Sequence, residues 1–138
     1  MALTAIYLAD KSALARFGVP EVGARLRPLL EGGDLATCAI VDLEVLYSSR
    51  NLAGYEAVLE ERRSLDAASI TPEVMASAID LQHELARRGQ HRVPIPDLII
   101  SAAALLNGLV VLHYDSDFER IAAAGRADHE WVVPQGSV

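Results

Sequence analysis

Short apolar runs separated by helical repeats set the pattern of this chain. Residues 4–9 (TAIYLA) form a bounded apolar run that stops at Asp10, and residues 109–114 (LVVLHY) form another that stops at Asp115. Runs this short, rich in Leu, Val and Ile, read as strands buried on both faces, as in a parallel sheet. Weaker runs at 35–39, 67–70 and 130–133 predict three more strands.

Between the runs the apolar positions recur at helical spacing, over 12–17, 21–30, 40–49, 55–65, 72–88, 98–106 and 118–124. Pro20 suits the start of the second helix, and Pro28 is expected to shorten or kink it. Thr71 as N-cap, Pro72 in the first turn and Gly89 as the stop frame the longest helix. Residues 40–49 are apolar at Ile40, Val41, Leu43, Val45, Leu46 and Tyr47, which predicts a buried helix carrying Asp42 and Glu44. Residues 55–65, with Glu60-Glu61-Arg62-Arg63, predict an exposed amphipathic helix. Residues 90–96 read as a loop with two prolines, so that Asp97 opens the 98–106 helix. Strand and helix alternate throughout, with no internal repeat or interdomain linker. The expectation is a single α/β domain over 1–138, with a central, mainly parallel sheet of about five short strands and helices on both faces.

Composition narrows the class. The chain is 51% hydrophobic but only 5% aromatic, so its core is built from Ala, Leu, Val and Ile. At 138 residues it can bury such a core without cross-links. Its one cysteine, Cys38, excludes an intramolecular disulfide and sits in an apolar run, where a buried thiol is the reading. The first residues lack the basic segment of a signal peptide, and no apolar stretch is long enough to span a bilayer. A cytoplasmic protein without membrane contact is expected. The net charge of −7 argues against a basic nucleic-acid coat protein and does not exclude an enzyme that gathers acids around a metal. Lys11 is the sole lysine, and the other basic side chains are arginines, which favour bidentate phosphate contacts.

The acids carry the candidate chemistry. Asp10 and Asp97 each stand where an N-cap belongs, and a capping carboxylate can still present its second oxygen to an ion. Glu44 lies between Leu43 and Val45 in a nearly all-apolar segment, so its carboxylate needs an arginine or a metal. Asp42 reads as a first-turn acid favoured by the helix dipole. Asp115 and Asp117 form either a polar Asx turn or a ligand pair. In open α/β sheets the ligand crevice lies beyond the carboxyl ends of the strands, where Asp10 and Asp115 would both stand. Clustered carboxylates repel unless cations compensate, and Mg²⁺ or Mn²⁺ is the chemical match for oxygen ligands.

Other chemistries lack support. His83, His91, His113 and His129 show no paired zinc spacing. His113 reads as a packing residue or as support for the acid pair beside it. Ser12, Ser49 and Ser101 sit in no G-x-S-x-G elbow. A phosphorelay receiver domain would want its acid pair after the first strand and a lysine at a late one. A D-x-D phosphatase would place that motif after its first strand, whereas Asp115-Ser116-Asp117 comes near the end of the chain.

Four segments, YLADKSAL at 7–14, VDLEVL at 41–46, VPIPDLIISAAAL at 93–105 and VVLHYDSDF at 110–118, together resemble the PIN-domain ribonucleases, most closely the VapC-type toxins of bacterial toxin–antitoxin pairs. The resemblance spans essentially the whole chain. It implies a Mg²⁺- or Mn²⁺-dependent endoribonuclease that leaves a 5′-phosphate and a 3′-hydroxyl. Asp10, Glu44, Asp97 and Asp115 match the family's four acids, with Asp117 as an accessory ligand and Ser12 as the hydroxyl that braces the first aspartate. Lys11 and His113 stand where such sequences often carry threonine. A catalytically silent PIN-like module would have lost one or more of the acids, and all four are present. The resemblance further implies an RNA substrate such as transfer or ribosomal RNA, and a small antitoxin that inserts an arginine-bearing segment into the acidic groove. A homodimer is expected. Arg87, Arg88 and Arg92, in ARRGQHR, are the candidates for holding RNA at the rim.

Overall fold

A computed structural model describes residues 3–138, and its organising feature is a five-stranded, wholly parallel sheet. The elements follow in the order β1 (Tyr7–Ala9), α1 (Lys11–Leu14), α2 (Pro20–Glu31), β2 (Leu35–Thr37), α3 (Ala39–Tyr47), α4 (Leu52–Arg63) and β3 (Asp66–Ala67). Then come α5 (Pro72–Arg87), α6 (Ile95–Leu106), β4 (Val110–His113), α7 (Asp117–Ala124) and β5 (His129–Trp131). The strand order is β3-β2-β1-β4-β5, with Leu8 opposite Val111 and Ala9 opposite Leu112 at the centre.

Both faces of each central strand are apolar because both are covered. Leu8 and Val111 point into a core with Val74, Leu85, Ile100, Phe118 and Ile121 from α5, α6 and α7. Their neighbours Ala9 and Leu112 point to the other side, onto Ala13, Val22 and Leu26 from α1 and α2. The period-two alternation of side chains thus feeds two cores at once, which is why the strands read as continuous apolar runs. Each fully buried Leu, Ile or Phe contributes about 1.5–3 kcal/mol. Gly108, at φ +64, ends α6 in the left-handed conformation and turns the chain into β4.

Four sequence expectations need correction. Helix α2 is not shortened at Pro28 and continues to Glu31. Pro28 and Ala24 lie on the solvent side, where a carbonyl that loses its intrahelical partner keeps water. Helix α4 begins at Leu52, three residues before the expected start, because Asn51 caps it by accepting from the Gly54 N–H at 2.8 Å. Helix α6 begins at Ile95, inside the expected loop, with Pro94 as N-cap and Pro96 in a first turn that needs no donor there. Helix α3 is buried on one side only: Val41 and Leu46 are enclosed, whereas Leu43 is 62% and Tyr47 88% exposed. Its all-round apolar composition therefore reports a surface that this chain leaves open.

Candidate metal centre

The sheet changes direction at β1. One neighbour, β2, follows it in sequence, while β4 arrives from the far end of the chain. In a parallel sheet the crevice outside the carboxyl ends at such a point is where ligands bind. Asp10 directly follows β1, and Asp115 lies just beyond β4.

Asp10 is only 4% exposed and caps α1, its Oδ2 accepting from the Ser12 N–H at 2.9 Å. The Ser12 hydroxyl accepts from the Tyr114 N–H at 2.8 Å while the Ser12 backbone N–H donates to Asp10, so one small residue ties the end of β4 to the first acid. Burial nevertheless holds the Asp10 carboxyl above its usual range, against those hydrogen bonds. Asp115 accepts from the Asp117 N–H at 2.9 Å, an Asx turn that opens α7. Arg120 pairs with Asp117 from the next turn of that helix.

Asp97 does not cap α6. It occupies the first turn, 6% exposed, and its Oδ2 is buried without any hydrogen-bond partner. A buried, unsatisfied carboxylate oxygen costs a folded protein free energy unless a ligand supplies what is missing. Burial, followed by the charges of Asp10, Asp115, Glu44 and Asp117, pushes its carboxyl up to about 8. Glu44 projects from α3 half-buried, with Oε1 also unpartnered. Burial and then Asp10 raise its carboxyl, while the nearby Lys11 ammonium lowers it.

Ligand oxygens of Asp97, Asp115 and Asp117 all lie within 4.8 Å of one another, the one such group among the described residues. Asp10 and Glu44 stand outside that tight set yet close enough to raise Asp97. Asp117, expected as an accessory, thus belongs to the tight set, although its charge raises Asp97 less than those of Asp10 and Glu44 do. Oxygen donors from the start of α6 and from the turn that opens α7, a partnerless oxygen and a surplus of like charge suit a hard divalent cation. Arg87, Arg88 and Arg92 are all exposed at or after the end of α5, and Arg88 pairs with Glu84 at 3.6 Å.

His113 takes both of the roles the sequence left open, and Arg62 takes one the sequence did not show. His113 is 2% exposed, packed between Phe118 and Trp131 at 4.9 Å from each ring, and its Nδ1 accepts from the Asp115 N–H at 3.2 Å. Burial, and then His129, bring its imidazole down to about 4, so it stays neutral and serves as an acceptor. Of the two partners open to Glu44, an arginine or a metal, no arginine pairs with it among the described residues, and Arg62 is bound to Asp42. Arg62 reaches from α4 to Asp42 Oδ1 at 2.8 Å and to Thr37 Oγ1 at 2.6 Å, and the Thr37 hydroxyl donates to Asp42 at 2.7 Å.

Comparison with known proteins agrees with this geometry. The family model described as PIN domain matches residues 7–124. Ribonuclease VapC21 of Mycobacterium tuberculosis is 45% identical over 137 residues, covering 98% of this chain and 99% of that protein. Ribonuclease VapC51 of the same organism is 40% identical over 132 residues, covering 96% of each. The fold matches VapBC2 from Rickettsia felis, in a complex bound to a DNA fragment from its promoter, with a TM-score of 0.73 at 18% identity. That match covers 91% of this chain and 97% of the other. A similar match, with a TM-score of 0.73 at 16% identity, is to VapBC-1 from nontypeable Haemophilus influenzae, over 92% and 98% of the two chains. With a family match over most of its length and full-length relatives of this identity, the chain belongs to the PIN domain family and is of the VapC type.

Proposed function

We propose that this protein is a metal-dependent endoribonuclease, the toxin of a toxin–antitoxin pair. The observation that carries the reading is the convergence of Asp97, Asp115 and Asp117 at the switch point of the sheet, with an Asp97 oxygen that no protein donor satisfies. Full-length likeness to proteins named ribonuclease supports it. In this reading Asp10, Glu44, Asp97 and Asp115 are the catalytic acids and Asp117 completes the ligand set. An all-carboxylate site without sulfur or imidazole favours Mg²⁺ or Mn²⁺. Such an ion supplies charge neutralisation at a phosphate and a lowered pKa for water.

The chain's own residues prepare that chemistry. Ser12 and the α1 backbone orient Asp10, and the Asx turn together with His113 orients Asp115. Asp97 would have to lose its proton to hold the ion, since burial and the neighbouring acids push its carboxyl up to about 8. Purified protein incubated with total RNA, with Mn²⁺, with Mg²⁺ or with EDTA, tests the proposal. Metal-dependent cuts that carry a 5′-phosphate and a 3′-hydroxyl are expected; RNA left intact under all three conditions would reject it.

Glu44 gives an independent readout in stability. Mn²⁺ should raise Tm by mass action, by RT ln(1 + [L]/Kd). Glu44→Gln should raise the metal-free Tm by removing one repelling charge, and should blunt the response to Mn²⁺. Differential scanning calorimetry with and without EDTA reads both. A metal-free Tm that falls instead would show that Glu44 is held by protein groups.

The partner we propose is a small antitoxin. An apolar cavity of about 790 Å³ lies under α4, bordered by Leu14, Phe17, Leu35, Val45, Val58 and Leu65. Leu43 and Tyr47 on α3 and Leu52 at the start of α4 are also exposed. An amphipathic segment could fill the cavity while an arginine reaches the acids with bidentate geometry. A cytoplasmic homodimer belongs to the same reading, with light scattering as its test. For RNA, Arg87, Arg88 and Arg92 are the proposed phosphate contacts. Replacing all three with alanine should weaken RNA binding and lower the slope of log K against log salt, by about 0.7–0.9 for each phosphate that is no longer neutralised. Identical slopes in a salt series would place the RNA rim elsewhere.

A further inference from the structure

His129 is not in the metal centre, yet it touches both sides of the frame that holds it. Its Nδ1 faces the Ala127 carbonyl at 2.9 Å. A carbonyl can only accept, so Nδ1 carries the proton and, in the neutral ring, Nε2 is an acceptor. The group facing Nε2 is the Ser101 hydroxyl, which must therefore donate. Ser101 is 1% exposed and lies four residues after Asp97, on the same face of α6. The imidazole also packs 5.7 Å from the Phe118 ring and 6.3 Å from that of His113, whose Nδ1 orients Asp115. A cavity of about 320 Å³ borders both Ser101 and His129, so the two hydrogen bonds, rather than close packing alone, set the ring's position.

A serine inside a helix has a default alternative. Its hydroxyl can bond the carbonyl four residues earlier, which destabilises and bends the helix. For Ser101 that carbonyl belongs to Asp97. We propose that His129 is a positioning residue for the metal centre: by taking the Ser101 proton it keeps α6 straight at Asp97, and by packing on Phe118 and His113 it holds the Asp115 side of the cluster in register. The inference rests on the metal-centre reading above.

The test is Mn²⁺ affinity, measured by titration calorimetry on wild type and four variants. His129→Phe keeps a ring but removes the acceptor, and should raise Kd about tenfold, the lower end of what weakened support around a metal site costs. His129→Gln keeps an acceptor and should stay within about threefold of wild type. Adding Ser101→Ala to His129→Phe removes the hydroxyl that would turn to the Asp97 carbonyl, and should recover most of the affinity. Leu26→Ala, in the core on the opposite face of the sheet, is the control for reduced stability alone and should leave Kd unchanged. Wild-type affinity in His129→Phe would overturn the inference, as would equal losses in the Phe and Gln variants or a double variant no better than His129→Phe. A wild type that binds no Mn²⁺ would remove the metal centre itself and this inference with it.

Discussion

Asp97→Asn should abolish RNA cleavage while making the metal-free protein more stable. The two effects have one cause. Asp97 is 6% exposed with a buried oxygen that lacks a partner, and burial, followed by its acidic neighbours, raises its carboxyl to about 8 from 3.8. Such a group binds its proton more tightly in the fold than in the unfolded chain, so stability falls as pH climbs from about 4 to about 8. Asparagine removes that dependence at nearly the same volume. Relaxation of the neighbouring acids absorbs part of the shift, and a net gain of about 2 kcal/mol at pH 8 is expected, or about 6–8 °C in Tm. Cleavage should fall by about 10²–10³-fold or more, the cost of losing one electrostatic stabiliser of a transition state.

Asp10→Asn provides the contrast. It too should lose cleavage, but Asp10 already accepts from the Ser12 N–H as the cap of α1, and asparagine keeps that cap only as a weaker neutral hydrogen bond, so the gain from relief of charge is smaller. Tm measured in EDTA at pH 5 and pH 8, beside an RNA-cutting assay, separates the two roles. Wild-type cutting by both variants would eliminate the metal centre, and unfolding of Asp97→Asn would recast Asp97 as structural.

The parts of the site that could be read from sequence are those where a change of residue type coincides with the end of an element. Asp10 and Asp115 follow apolar runs too short to be anything but buried strands, and the parallel ladder brings their carboxyl ends together. Which strands pair is a long-range fact, yet it hardly mattered here, because every plausible parallel order puts strand-end acids on the same edge. The start of α6 was harder to see. Pro94-Ile95-Pro96 looks like a loop, and only the tolerance of a first turn for proline places Asp97 inside the helix with its carboxylate free for a ligand instead of closing a cap.

Pairings between distant residues left no local signal. Glu60-Glu61-Arg62-Arg63 reads as a solvated charge run, and three of its members are exposed, but the Arg62 side chain is only 11% exposed. Nothing in residues 60–63 points to Asp42, twenty positions earlier. His129 likewise sits in a polar stretch, and its contact with Ser101 exists only because β5 and α6 meet across the core. An all-apolar helix pattern such as that of α3 does not say which of its sides the chain itself covers.

Arg62→Met should destabilise the protein by about 2–3 kcal/mol and release α4 first. That helix has no fully buried residue, and the cavity of about 790 Å³ lies beneath it, so packing holds it weakly. Its anchor to the body is the Arg62 guanidinium, bound to Asp42 and Thr37 at the end of β2. Breaking a fully buried pair costs about 3–5 kcal/mol; the Asp42 side chain is 25% exposed, and water offsets part of its unpaired charge. Amide hydrogen exchange should therefore quicken in α4 ahead of α5 and α6, with urea unfolding giving the total. Replacing both partners, Arg62→Met with Asp42→Leu, should recover most of the stability, because no buried charge is then left alone. Unchanged protection in α4 would mean that Val58, Leu59 and Leu65 hold the helix without the pair. If the double variant is as unstable as Arg62→Met, the guanidinium contributes through Thr37 and not through Asp42.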